Sequence, residues 1–241
     1  MDREKYYGLM QAPEALDYEL YLKTGSLLAC QKPFDELCNR DELQFQVVHQ
    51  VEELWMKLMA YTLLDVDDYL KAGETHRVVT LLGRCHRIMR MMTDQLDLLE
   101  TMSPKEYQEI RLQLGNGSGQ ESPGFRILLK MVPELWRSFE QRYLVAEGRT
   151  VRSIYDEDYR HDAAYAVAEA LIEFDELFGK FRWHHLFLIH RHGRSVAQRP
   201  LGGPVAGRRE TPLLSRAVGR ARRHDRRLGR SIWPRAGQHR P

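Results

Sequence analysis

Histidine is the side chain best suited to hold a metal or move a proton near neutral pH, and this chain has ten of them. The densest group lies in "FRWHHLFLIHRH" at 181–192. His184 and His185 are adjacent, so on a helix they face about 100° apart. Only one of them can share a face with Phe181 and Ile189. A neutral imidazole among Phe, Trp and Leu is the setting of a metal or haem axial ligand. It is equally the setting of a core histidine bonded to a neighbour. His49 follows Phe45 by four residues and shares its helix face. It too has two readings: a ligand contact, or a core imidazole partnered by Glu52 or Glu53. Arg111 follows Tyr107 by four and precedes a Gly/Ser loop beginning at Gly115. A guanidinium there can clamp a carboxylate with its two-pronged fork, or simply stand exposed on its helix. The loop lacks a Gly-Lys-Ser/Thr ending and is no phosphate-binding motif of that kind. A carboxylate-bridged di-iron site needs Glu-x-x-His pairs. The chain has only the reversed order, His49-x-x-Glu52, so that chemistry has little support.

The elements that must position these residues read as helices. From Asp41 to Ala72 there is no Pro or Gly, and Phe45, Val48, Val51, Trp55, Leu58, Met59 and Thr62 recur at helical spacing. Gly73 supplies a stop. A second helix over 74–101 carries Val78, Val79, Leu82, Ile88, Met91, Met92, Leu96 and Leu99. Ser103-Pro104-Lys105-Glu106 is a capping box with Pro at the first helical position. It opens a third, short helix that ends near Leu114. Further helices are expected over Phe125–Leu144 and from Ala163 to Ile189. Strand alternation is nearly absent, so the predicted class is all-α, a bundle with antiparallel neighbours.

Composition sets outer bounds. The chain has 241 residues, of which 43% are hydrophobic and 29% charged. That apolar content excludes disorder throughout, and the length can bury a sizeable core. No apolar run is long enough to cross a bilayer, and MDREKYYGLM does not read as a secretory signal. Cys30, Cys38 and Cys85 form no CxxC pair, which fits a reducing cytoplasm. The formal net charge of +2 hides an asymmetry. Residues 191–241 hold 14 Arg, no Lys and two acids, a charge of +12, which leaves −10 on residues 1–190. Two parts are therefore expected: a helical ligand-binding domain over 1–190 and an Arg/Gly/Pro-rich tail over 191–241. The tail has three readings: a frame-shifted translation of a GC-rich gene, a plain disordered tail, or a nucleic-acid binder. The absence of Lys favours the first, and a nucleic-acid partner is not expected.

Longer motifs add a resemblance. They comprise Tyr18-x-x-Tyr21-Leu22, Asp41-Glu42, Phe45-x-x-x-His49-Gln50-x-x-Glu53-Leu54-Trp55-x-Lys57, and Ser103-Pro104 through Arg111 to Ser118-Gly119. Together and in this order they resemble the tryptophan 2,3-dioxygenase family, well over about 16–126 and more loosely over 163–191. The resemblance implies an all-α haem protein, a homo-oligomer (dimer or tetramer), that inserts O2 across the indole C2–C3 bond of L-tryptophan to give N-formylkynurenine. It implies haem b bound through His185, with His184 as a one-residue register alternative. His49 would meet the indole N–H, and Phe45 would wall the indole pocket. Arg111 would pair with the substrate carboxylate, with Tyr107 and Ser118 nearby. Tyr18, Tyr21 and Leu22 would reach a neighbouring subunit's pocket.

Some features differ from the family pattern. Gln120 stands where the family loop carries an aromatic residue. The segment between Arg126 and His185 is shorter, and no Gly-Thr-Gly-Gly-Ser loop follows the last helix. These leave two other expectations: a haem monooxygenase of tyrosine or a substituted tryptophan, or an inactive haem-binding bundle with a basic tail.

Overall fold

The computed structural model describes residues 3–10, 16–115, 122–156 and 161–193. The expected tail lies outside them beyond Gly193, as do Ser118 and Gln120. The described residues form helices and no strand, so the chain is all-α. The elements are α1 (Arg3–Met10), α2 (Asp17–Leu22), α3 (Thr24–Leu28), α4 (Glu42–Ala72), α5 (Thr75–Glu100), α6 (Pro104–Gln113), α7 (Pro123–Phe139), α8 (Val151–Asp156) and α9 (Ala163–Gly193).

Helix α4 runs 31 residues because nothing in it interrupts the backbone ladder. Gly73 ends it in the left-handed region (φ 75°), and its N–H reaches back to the Leu70 carbonyl at 3.1 Å. A side chain there would be strained, and its Cβ would also meet the Arg142 guanidinium. Helix α6 starts as its capping box predicts. Ser103 Oγ accepts the Glu106 N–H at 3.3 Å, and the Glu106 carboxylate accepts the Ser103 N–H at 3.2 Å.

Helix α7 departs from expectation at both ends. It begins at Pro123, not Phe125, because Ser122 Oγ accepts the Phe125 N–H at 3.1 Å with Pro123 at the first position. This is the same start signal as Ser103-Pro104. After Phe139 the helix widens into a π-helical segment, Glu140–Val145. Helix α9 continues to Gly193, past the expected end at Ile189. The short helices α1, α2, α3 and α8 were not expected from periodicity, since each has eight residues or fewer.

The core lies where α4 packs on α5 and α7, and α5 on α9. Met59, Leu63, Val66 and Leu70 of α4 meet Leu82, Met89, Met92 and Leu96 of α5, with Leu128 and Phe139 of α7 and Phe174 and Phe178 of α9. Burying each such side chain contributes roughly 1.5–3 kcal/mol, so this seam dominates the stability of the bundle. Leu58, Val79 and Met91, expected on inner faces, are exposed. They lie at the borders of stripes whose centres are Met59, Val78 and Met92.

A strap over 31–39 crosses the first turns of α4. Lys32 Nζ pairs with the buried Glu42 carboxylate at 2.6 Å, and Gln31 Nε2 donates to Gln50 Oε1 at 2.6 Å. Asn39 Nδ2 donates to the Glu106 carbonyl and the Glu109 carboxylate, both at 3.0 Å. These bonds tie α6, which carries Tyr107 and Arg111, to the start of α4, which carries Phe45 and His49.

Candidate haem and substrate site

His49 is set by its own helix. Its Nδ1 lies 2.7 Å from the Phe45 carbonyl oxygen. A carbonyl only accepts, so Nδ1 carries the proton and Nε2 keeps its lone pair. The Phe45 and His49 rings lie 4.1 Å apart, and the Tyr107 ring of α6 lies 6.4 Å from Phe45. Arg111, one turn further along α6, acts electrostatically on the half-buried Tyr107 phenol. It donates from Nη1 to the Gly115 carbonyl. Thus Phe45, His49 and Tyr107 form one ring cluster between α4 and α6, with Arg111 one turn beyond Tyr107.

Beyond His49 lies a cavity of about 200 Å³. It is lined by His49, Glu52, Glu53 and Met56 of α4, by Ser122, Pro123 and Phe125 at the start of α7, and by Phe181 and His185 of α9. Two imidazoles from different helices therefore face one apolar space. Loss of water drives the His185 pKa down to about 4, and the nearby His49 pushes the same way. Desolvation also holds His49 below its usual value. Both rings are neutral at pH 7, the form in which imidazole ligates metal or accepts a hydrogen bond. The His185 ring lies parallel to Phe181 at 6.5 Å.

His184 turns the other way. Its Nε2 is 3.1 Å from Glu100 Oε1 and 3.6 Å from Asp97 Oδ1, both on α5. It takes no part in lining the cavity.

Glu52 and Glu53 are the cavity residues whose place in it was missed by sequence reasoning, which treated them as ordinary partners of His49. Their signal was present: positions 49, 52, 53 and 56 share one helix face. Glu53 Oε2 accepts the Gly124 N–H at 3.0 Å, fastening α7 to α4. Glu52 is only 5% exposed. Its Oε1, like Glu53 Oε1, has no hydrogen-bond partner among the described residues. Burial pushes the Glu52 pKa up to about 8, so it is mostly protonated at pH 7.

The other expected residues fall elsewhere. Tyr18, Tyr21 and Leu22 stand exposed on α2, outside the cavity wall. Ser118 lies outside the described residues.

The side chains around the cavity suit a haem. His185 offers a neutral imidazole with no hydrogen bond to another described residue, and Met56, Phe125 and Phe181 offer apolar walls. A histidine-and-carboxylate metal site is less well formed there. Among the described residues, ligand atoms close enough to share an ion occur at Asp97, Glu100 and His184 instead.

Comparison with known proteins gives one consistent result. The family model for tryptophan 2,3-dioxygenase matches residues 5–143. A tryptophan 2,3-dioxygenase of Anaeromyxobacter dehalogenans (strain 2CP-C) is 30% identical, covering 81% of this chain and 89% of that protein. One of Serratia proteamaculans (strain 568) is 27% identical over 73% of this chain and 80% of its own length. One of Xanthomonas oryzae pv. oryzae (strain PXO99A) is 32% identical over 64% and 54%. The family match includes Phe45, His49, Tyr107 and Arg111 and stops short of α9. The place of His185 in the wall is read from the cavity's geometry.

Proposed function

The chain belongs to the tryptophan 2,3-dioxygenase family, and from that premise we propose that it is a haem-dependent oxygenase of tryptophan catabolism. L-Tryptophan and O2 are its substrates, and N-formylkynurenine is its product. The observation that carries this reading is the sharing of one apolar cavity by His49 and His185, beside the Phe45 and Tyr107 rings. The monooxygenase and inactive-bundle readings gain no support, since the relatives described above all carry the dioxygenase name.

Haem b, when bound, supplies the redox iron that activates O2. His185 would hold it through its neutral imidazole. The chain's remaining task is to bind and orient the amino acid. Phe45 and Tyr107 take the indole out of water, each a flat apolar surface. Arg111 pairs with the substrate carboxylate through its fork. His49 accepts the indole N–H at Nε2, because its own proton is fixed at Nδ1 by the Phe45 carbonyl. That hydrogen bond orients the C2–C3 edge of the ring, and orientation of this kind is a large part of the barrier reduction. The apolar walls keep bulk water from the reacting atoms.

A homo-oligomer is part of the proposal. Leu43, Val47, Leu54, Leu58 and Tyr61 are exposed at helical spacing along one side of α4, a stripe that a second copy can cover. A cytoplasmic setting is proposed on the odd cysteine count.

The test is a hemin titration followed by turnover. The reduced, hemin-loaded protein is expected to convert L-tryptophan in air to N-formylkynurenine. His185→Ala is expected to lose hemin at one equivalent. A hemin-loaded protein that forms no product from tryptophan would refute the substrate, and normal hemin stoichiometry in His185→Ala would refute the ligand.

A further inference from the structure

Two adjacent histidines begin the last third of α9, and only one faces the cavity. The other is held. His184 Nε2 donates to Glu100 Oε1 at 3.1 Å, with Asp97 Oδ1 at 3.6 Å on the same side. The second oxygen of Glu100 accepts from Arg191 Nη1 at 3.3 Å. Glu100 is the last residue of α5, and Asp97 stands one turn before it. His184 and Arg191 are seven residues apart, which is close to two full turns and about 10.5 Å along the axis. They therefore lie on one side of α9, and a single carboxylate bridges them from α5.

We propose that the Glu100 bridge to His184 and Arg191 is a positioning device that fixes the rotation of α9 so that His185, and not His184, is presented to the haem. The inference rests on the reading of His185 as the iron ligand. A roll of α9 by about 100° would exchange the two imidazoles. On the cavity side that roll is opposed by Phe181 and Leu188, which flank His185 at i−4 and i+3 and are 3% and 5% exposed. On the other side it is opposed by the bridge. All the bridging groups are partly exposed, and exposed ion pairs add little to folding stability. The effect of the bridge therefore falls on the orientation of the ligand more than on the fold. Loss of residues that orient a metal ligand commonly weakens metal binding by about tenfold or more.

The experiment measures how fast hemin leaves the loaded, full-length protein for an excess of apomyoglobin. His184→Leu and Glu100→Gln are each expected to speed dissociation about tenfold. His184→Arg restores an N–H donor on the same side and is expected to release hemin at nearly the original rate. The thermal midpoint of the haem-free variants should stay close to that of the unsubstituted protein. Glu100→Gln keeps the side-chain shape, so it remains informative if His184→Leu fails to fold. Unchanged dissociation in both Glu100→Gln and His184→Leu would overturn the inference. So would a large drop in haem-free stability that His184→Arg fails to correct, since that would mark a structural contact. An unsubstituted protein unable to bind hemin would overturn the proposed function, and this inference with it.

Discussion

At the scale of residues, the cavity balances two opposed titrations. Glu52 is an acid whose folded pKa, about 8, lies above its ordinary value of 4.5. The folded state therefore holds a proton that the unfolded chain releases. Its contribution to stability is complete below pH 4.5 and declines as pH rises through 8, at up to about 1.4 kcal/mol per pH unit. His185 is a base whose folded pKa, about 4, lies below 6.5. Stability is lost as pH falls from 6.5 towards 4, because the unfolded chain takes up the proton first. The two slopes offset each other between pH 4.5 and 6.5, and Glu52 alone remains from 6.5 to 8. The haem-free protein is therefore expected to lose thermal stability across pH 6.5–8, and Glu52→Gln to flatten that loss. Parallel pH profiles for the two proteins would contradict the assignment. The sequence carried His49, Arg111 and the His184–His185 pair in plain view. It could not settle which of the pair faces inward, because both fit the helical period. In the fold His184 turns to Glu100 and Asp97 of α5, 84 or more residues earlier in the chain.

Element boundaries follow local chemistry where a cap was visible. Gly73 and the Ser103–Glu106 box place the end of α4 and the start of α6 as read from the sequence. The start of α7 was legible in principle from Ser122-Pro123, but the preceding glycines drew it into the loop. Its position matters to the site. At Gly124 the backbone of α7 passes so close to α4 that an added Cβ would lie 2.7 Å from Met56 Cβ and 3.0 Å from Glu53 Oε2. Met56 cannot move its Cβ without moving the helix. Gly124→Ala is expected to destabilise the fold by about 1–3 kcal/mol. It should also push Phe125 and Ser122 away from His49. Equilibrium urea unfolding, with hemin affinity measured alongside, checks both effects. Wild-type values for both would show that the close approach is not required. The π-helical widening at Glu140–Val145 had no sequence signal, because α- and π-turns draw on the same residues.

At the scale of the whole molecule, the all-α bundle was legible because its long helices carry strong periodicity. The apolar surface it leaves uncovered was not, since an exposed stripe and a buried one share the same period. Leu54, Leu58 and Tyr61 are 49%, 42% and 65% exposed, and their faces converge on one side of α4. Light scattering is expected to give a mass at least twice 28.3 kDa. The double substitution Leu58→Lys with Tyr61→Lys is expected to reduce it to a single chain. A monomeric unsubstituted protein would remove the oligomer from the account. The proposed two-oxygen insertion into tryptophan is read out by supplying ¹⁸O₂ to the reduced, hemin-loaded protein with L-tryptophan and weighing the product at early time. N-formylkynurenine carrying both heavy atoms is the expected product. A product carrying only one, or tryptophan left unchanged by a protein with a normal haem spectrum, would contradict it.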